Sequence, residues 1–427
     1  MSGVLFYNKC RIKTDVLTSI QLTEAEEKDV NFYDYDGFRL LSYTNAQALA
    51  LTELPANPVI NENLTFDEWN WTLAAIKSQI NNVGGVVNVG AIYHTTDEKT
   101  HITCKPTETF PQAYICLTPT ASNAVTVDWG DGTTDTWTSA SQEIKSHTYT
   151  GVTDSSVYDI AISCSSGTYS FETYITGTES NNQNCVYTDI KLANTCTSCT
   201  ENSFKSCYSL QSIAISDSLS GLGSYCFAAC YSLKFINIPM TIQSFNNNCF
   251  TTCYSLVSIA IPCNATSFGD SCFSTCPSLN SITIPTGFSS FGYGCFSQCR
   301  SLSLINIPTG VSLGESCFSS CYSLQFITIP ESAGELGAKC FNTCYSLKSI
   351  TIPSSVTSVG EQCFYACYAL NKIYLKPTVP PTLANQNAIN NVNNTCLVIY
   401  VPTGTLSAYQ SASVWSSFSS KMVEYSF

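Results

Sequence analysis

Cysteine is the residue type with the most chemical potential in this chain. There are 24, and 15 of them fall into two columns. Cys226 and Cys230 stand four residues apart, and the pair returns as Cys249 and Cys253, then from Cys272, Cys295, Cys317, Cys340 and Cys363. In the copy before them, Ser203 takes the first place and Cys207 the second. Thiols at this spacing suggest a metal site or a disulfide. A structural zinc, however, needs four converging ligands, usually from two separated pairs. A repeat sets like beside like and yields stripes instead of one closed tetrahedron. The alternative is a ladder of small buried side chains, a common role of free cysteine. That reading fits the periodicity, so neither metal nor cofactor is expected. Many unbridged thiols point to assembly in a reducing compartment.

Other chemistry is sparse. The three histidines, His94, His101 and His147, lie outside the repeats. No G-x-S-x-G, H-E-x-x-H or phosphate-binding glycine loop occurs, so no catalytic residue is assigned and a non-enzymatic role is expected. Two outward columns are candidates for ligand contact. One lies on the strand: Asn237, Thr283, Asn306, Thr328 and Thr351, in register with Ala214, Ala260 and Tyr374. The other lies on the turn: Tyr208, Tyr231, Tyr254, Tyr322, Tyr345 and Tyr368, interrupted by Pro277 and Arg300. Aromatic rows stack on sugar rings or anchor protein partners. The competing reading is that the tyrosines stack on one another, since their period is the repeat's own.

The elements that must carry these columns are eight copies of one sentence between Phe204 and Leu375. Each reads C-F-x-x-C-x-S-L-x-x-I-x-I-P, then a polar return. The step is 23 residues, except one of 22 between Cys295 and Cys317. Self-similarity at this period means a solenoid. Ile236 and Ile238 alternate with Asn237, as in a short strand with one buried face. The proline that follows, as at Pro239, ends the strand. The Cys-Phe-x-x-Cys part reads as a short helical or 3₁₀ turn. No single unit buries its apolar face, so the Phe, Leu and Ile positions must stack into a shared core. At about 4.8 Å per strand, the repeats span roughly 40 Å. Cys196 and Cys199 fall on Leu219 and Leu222 at the 23-residue offset, and Ile190 and Leu192 on Ile213 and Ile215, so a degenerate capping repeat begins near Val186.

The repeat sentence resembles the BspA-type leucine-rich repeats, with Cys where that family has another small residue before Phe. The resemblance covers about 190 residues. It implies a leucine-rich-repeat solenoid over 186–375, closed by a capping region over 376–427. In that region Leu397–Pro402 reads as a strand, and the stretches at Ser407–Gln410 and Val414–Phe418 as a closing helix. The run I-Y-V-P-x-G-x-x-x-A-Y is similar to the terminal caps of such proteins in gut Bacteroidales.

Residues 101–178 have a different texture. Val125–Trp129 reads as a strand, Gly130–Thr133 as a tight turn, and His147–Thr150 and Tyr158–Ile162 as further strands. Trp129-Gly130-Asp131-Gly132 with His147 and Tyr149 resembles a PKD domain, which implies an Ig-like β-sandwich. Asp128 and Asp131 read as turn formers and His147 as a packing residue. Residues 1–100 carry no motif and read as a small α+β attachment or oligomerisation region. Within it, Thr65–Trp69 reads as the start of a helix running to about Asn82, followed by a Val-rich strand over Gly84–Val89. Glu24–Asp29 reads as a solvated charged patch. The fold class expected is therefore multidomain and mainly β.

Net charge is −13, but the stretch from 186 to 427 balances nine acidic against nine basic residues. No basic stripe is present, which argues against nucleic acid. No apolar run spans a membrane, and the first residues show no secretory signal. Display-type modules, many cysteines and no export signal together suggest a bacteriophage virion protein. It would be a head or tail fibre of a gut Bacteroidales phage, anchored to other virion proteins through its N-terminal region. The sandwich would serve as a spacer and the solenoid would be displayed toward a host-surface protein or glycan. Fibres are commonly trimeric, so a homotrimer is expected. The alternatives are a bacterial cell-surface adhesin and a virion protein that uses the solenoid only for assembly.

Overall fold

The computed structural model describes residues 28–58, 63–121, 123–172, 186–389 and 396–427. The first 27 residues, including most of the Glu24–Asp29 patch, lie outside them. The fold is mainly β, with a solenoid of stacked coils in the C-terminal part. No helix of the described residues is long and apolar enough to cross a membrane.

Each coil turns where the sequence suggested a short helix, but the turn is not helical. Cys226 N–H bonds to the Gly223 carbonyl and Cys230 N–H to that of Phe227. Tyr225 and Ala229 sit between them in left-handed conformation, at φ 58° and 61°. Asn248 and Thr252 repeat this at 58° and 63° in the next coil. These are tandem tight turns with a left-handed third residue. They free the other backbone groups to pair between coils: Phe227 N–H donates to Cys249 O at 2.8 Å and Ala229 N–H to Thr251 O at 2.9 Å. The Phe column therefore stacks nearly parallel, as in Phe250 on Phe273 at 5.4 Å and 2°.

The 22-residue step has a structural cost. The return strands Ser244–Phe245, Ser267–Phe268 and Ser290–Phe291 form one sheet, and Glu335–Leu336, Ser358–Val359 and Thr382–Leu383 another. Between them only the single bridges Ser290↔Ser312 and Leu313↔Leu336 carry the ladder. At the far end, Ser349–Ile352 and Lys372–Leu375 pair in parallel and continue through Val398–Pro402 to Met422–Tyr425. A helix over Leu406–Ser411 and a 3₁₀ helix over Trp415–Lys421 close that end.

At the near end, two packed sheets precede the coils. The first holds β5 (Thr100–Cys104), β7 (Asn123–Asp128), β8 (Thr134–Ser139) and β10 (Tyr158–Cys164). The second holds β6 (Gln112–Pro119), β9 (Glu143–Thr148) and β11 (Tyr169–Phe171). Both sheets run on into the solenoid. β12 (Tyr187–Lys191) lies antiparallel to β5 and parallel to β14 (Ser212–Ala214), with Ile190 opposite Ile213. β13 (Cys196–Cys199) lies parallel to β11, and Cys199 bridges to Leu222. This is the register given by the 23-residue offset. One hydrophobic core runs from Ile102 to Met422, so the sandwich is fused to the first coil as its cap.

Residues 28–58 and 63–95 form a separate α+β layer. The sheet order is β2 (Arg39–Tyr43), β1 (Val30–Tyr33), β4 (Val87–Thr95), β3 (Leu64–Trp69), with β1 parallel to β4. Two helices, α1 (Asn45–Ala50) and α2 (Leu73–Asn82), accompany the sheet. The segment expected to begin a helix is strand β3. Its Phe66 and Trp69 pack edge-on, and α2 starts only after Thr72, whose hydroxyl accepts Ala75 N–H.

Candidate functional site

The strand face of the solenoid is divided. Over its early coils it is covered by residues 28–95, a contact that sequence reasoning missed. Asn70 is fully buried there. Its Nδ2 donates to Ile238 O at 3.0 Å and Ala260 O at 2.9 Å, while its Oδ1 accepts Gly90 N–H. Trp71 Nε1 donates to Ile261 O at 2.7 Å. Gln79 of α2 donates to Ile284 O and accepts Thr286 N–H. Ile238 O, Ile261 O and Ile284 O gain donors in this buried interface, and Ala260 O, which also accepts Ile238 N–H, gains a second.

Two of the candidate contact residues lie inside this interface. Asn237 Nδ2 donates to Ala91 O at 2.9 Å, and Thr283 Oγ1 donates to Val86 O and accepts Asn88 N–H. Both are buried, so in this arrangement they touch the chain's own N-terminal layer. A Cβ at Gly90 would stand 2.4 Å from the Asn237 side chain, so this crossing requires glycine. Gly85, at φ 82°, is likewise pressed against Asn306, which is half-buried at the rim of the cover.

Beyond Asn306 the face is open. Thr328 and Thr351 are exposed. Phe235 and Phe326 occupy the same repeat position, just before the first Ile. Phe235 is 5% exposed beneath Tyr33, with ring centroids 4.6 Å apart, whereas Phe326 is 53% exposed. Leu304 is exposed beside it. A trace of the cover was in the sequence: Ala214 and Ala260 interrupt the polar outward column in the covered coils.

The tyrosine column is a stack. Tyr208, Tyr231 and Tyr254 lie at 4.6 and 4.7 Å, and Tyr322, Tyr345 and Tyr368 at 4.7 and 5.3 Å, all within 17° of parallel. The Arg300 guanidinium covers Tyr322 at 5.4 Å. Ring edges remain open in both runs, since Tyr254, Tyr345 and Tyr368 are exposed.

The second cysteine column makes a regular contact. Each Sγ donates to the carbonyl of the Phe one coil back, from Cys230 to Phe204 at 3.2 Å through Cys367 to Phe341 at 3.1 Å. These thiols are buried and unbridged. Burial pushes the Cys367 thiol up to about 12, and in the first column pushes Cys226 to about 11. Thiolate chemistry is therefore suppressed.

The histidines all meet aspartates. His147 Nε2 lies 2.7 Å from Asp131, its ring stacked on Trp129 and edge-on to Tyr149, whose hydroxyl donates to Trp129 O. His101 lies between Asp159 and Asp97, and hydrogen bonding to Asp159 raises its pKa. His94 Nδ1 lies 2.5 Å from Asp67 Oδ1. Asp67 and Glu68 of β3 face Asp217 of the first coil. Burial raises both of their pKa values, and the Asp217 charge adds to the rise.

A β-sandwich fused to a coil of repeated C-F-x-x-C-x-S-L-x-x-I-x-I-P units, with a strand face used for docking, defines a leucine-rich-repeat solenoid protein. The BspA type leucine rich repeat region family matches residues 179–303 and 290–407, more than half of the chain, and the chain belongs to that family. Among solved structures, it is similar to a leucine-rich repeat protein from Bacteroides ovatus, at 20% identity and a TM-score of 0.31, over 55% of this chain and 76% of that one. It is also similar to a leucine rich cell surface protein from Faecalibacterium prausnitzii, at 23% identity and a TM-score of 0.22, over 44% of this chain and 79% of that one. No curated protein matches it.

Proposed function

We propose that this chain is a non-enzymatic adhesive protein whose solenoid binds a protein or glycan on a bacterial surface, and that a bacteriophage particle carries it as a head or tail fibre. The observation behind the adhesive reading is the divided strand face. Its early half is occupied by residues 28–95, while its later half presents Leu304, Phe326, Thr328 and Thr351 to solvent. An exposed aromatic flanked by aliphatic and hydroxyl groups is suited to contact. The tyrosine edges at Tyr254 and Tyr368 are a second contact row. What supports carriage on a phage is the set of buried, unbridged thiols. A particle assembled in the reducing cytoplasm and released by lysis keeps them reduced. Attachment to other virion proteins falls to the N-terminal region, and the oligomer is a trimer by analogy with fibres.

The fused sandwich makes deletion of 186–427 a poor test, because the sandwich sheets would lose strands. Surface substitutions are cleaner. Purified wild-type chain should bind intact gut Bacteroidales cells, and a Leu304→Asp/Phe326→Asp variant should bind them about tenfold less. Wild-type protein that binds no cells would end the adhesive reading. Mass spectrometry of purified particles decides the carrier: peptides at a fixed ratio to the major capsid protein support a virion part. Their recovery in the bacterial envelope alone would make the protein a cell-surface adhesin.

A further inference from the structure

Neighbouring coils are tied on the Phe turn, on the return and on the strand. The chain segments 286–308 and 309–330 meet at the 22-residue step, and there the return and strand sides are open. On the return, Ser289 N–H donates to Thr266 O and Gly292 N–H to Phe268 O, both at 2.8 Å. The same bonds stand past the step, from Gly337 N–H to Leu313 O at 3.1 Å and from Thr357 N–H to Gly334 O at 2.9 Å. Among the described residues neither has a counterpart at the step, where the bridge Ser290↔Ser312 is what remains. The cause is local. Other returns set two residues between apolar positions, as in Phe288-Ser289-Ser290-Phe291, but Val311-Ser312-Leu313 sets one. The glycines show the gap in space. A Cβ at Gly292, Gly337 or Gly360 would stand 2.4 Å from the coil before, whereas the nearest atom to one at Gly314 is Phe291 O at 3.9 Å.

On the strand side the bonds lengthen toward the step. Val257 N–H donates to Lys234 O at 2.9 Å, Asn280 to Val257 O at 3.2 Å and Ser303 to Asn280 O at 3.4 Å. Among the described residues no bond joins Gln325 N–H to Ser303 O. The series resumes from Lys348 to Gln325 O at 3.2 Å and from Asn371 to Lys348 O at 3.1 Å. The turn side is whole: Phe296 N–H donates to Cys317 O at 2.9 Å, Gln298 N–H to Ser319 O at 2.7 Å, and Arg300 covers Tyr322. The step from first to second coil also lacks its strand-side bond, at Lys234. There, however, Thr241 Oγ1 and Asn246 Nδ2 donate across it to Leu219 O and Leu222 O. The covering layer also grips both coils, at Ala214 and Asn237.

We infer that the 22-residue step is a hinge in the solenoid. The sandwich, the cover and the coils through Pro308 form one body, and the coils from Thr309 with the closing helices form the other. The unbroken turn side is the axis, because it alone carries bonds that a bend must preserve. Leu304 and Phe326 lie on opposite sides of the step, and both are exposed. Bending therefore changes the spacing of two apolar side chains on the open strand face. The motion needs no ligand, so it can be measured whether or not the protein is an adhesin.

Double electron–electron resonance on the full chain tests this. Nitroxides are attached to introduced ketone side chains, which spares the 24 cysteines. One pair replaces the exposed Asn280 and Lys348, three coils apart across the step; the control pair replaces the exposed Lys234 and Ser303, three coils apart before it. The distance distribution of the first pair should be about twofold wider than that of the control. Inserting one serine after Ser312 restores the two-residue spacing and should narrow the first distribution to the control width. Equal widths in the otherwise unaltered chain would overturn the hinge. So would a wide distribution that persists in the folded insertion variant. Should the insertion not fold, the comparison of the two pairs decides alone.

Discussion

The thiol of Cys253 donates a hydrogen bond to the backbone carbonyl of Phe227, 3.1 Å away. That carbonyl already accepts Cys230 N–H within its own coil, at 3.2 Å. A carbonyl has two lone pairs, and the next coil's cysteine uses the second. This explains why the column is cysteine: the site wants a side chain of small volume, apolar character and one weak donor.

Cys253→Ala should therefore destabilise the solenoid by about 1–3 kcal/mol, from the lost sulfur volume and the under-satisfied carbonyl. Urea unfolding checks it. The same burial should keep the column thiols unreactive toward a thiol reagent at pH 8 in the native protein. They should react together once denaturant opens the coils.

Asn70 joins the covering layer to two coils through two hydrogen bonds and is itself fixed in the layer by a third, from Gly90 N–H. Asn70→Ala should remove the side-chain donor from Ile238 O and Ala260 O and weaken the seat of the covering layer by about 1–3 kcal/mol. Hydrogen exchange in β4 would rise toward the unprotected rate, while the distant coils around Ile350 would be unaffected.

Phe235 and Phe326 offer a matched pair at one repeat position. Phe235→Ala removes a ring packed under Tyr33 and should cost about 3 kcal/mol. Phe326→Ala should stay within about 0.5 kcal/mol of wild type, since the ring is largely in solvent. Thermal unfolding of the two variants side by side measures the difference. Equal losses would mean that the two positions share one environment.

His101 gives a pH dependence of its own in the sandwich. Hydrogen bonding to Asp159 raises its pKa, opposed by burial and aided by Asp97. A histidine held above its unfolded pKa contributes stability that is complete below that value and disappears as pH rises through the folded one. The melting temperature of the wild-type protein should accordingly drop between pH 6 and pH 8. Asp159→Asn should shrink the drop.

The solenoid was legible because repetition multiplies a weak signal. One Ile-Asn-Ile is ambiguous, but eight copies in register fix the strand, its buried face and the stacking partner. The register of Ile190 on Ile213 followed from counting alone. The local turn was misread because nothing in Phe-Ala-Ala-Cys announces left-handed backbone at Ala229; the inter-coil ladder imposes it. β3 was misread because Trp69, Leu73, Ile76 and Ile80 share a helical face while Thr65–Trp69 also satisfies a strand. The pairing with β4 decided between them. The cover was missed because a contact such as Asn70 to Ile238, 168 residues apart, leaves no period to read.

The fusion of sandwich and first coil has a consequence for how the chain comes to exist. A coil of this kind has no partner for its first strand until something supplies one. Here β5 and β11 present finished edges to β12 and β13. The costly start of the stack is thereby replaced by addition to a surface already formed. Synthesis delivers that surface before the coils, so the natural order of assembly is a zipper running from the sandwich outward. Its slowest tooth should be the 22-residue coil, where the return ladder is reduced to single bridges.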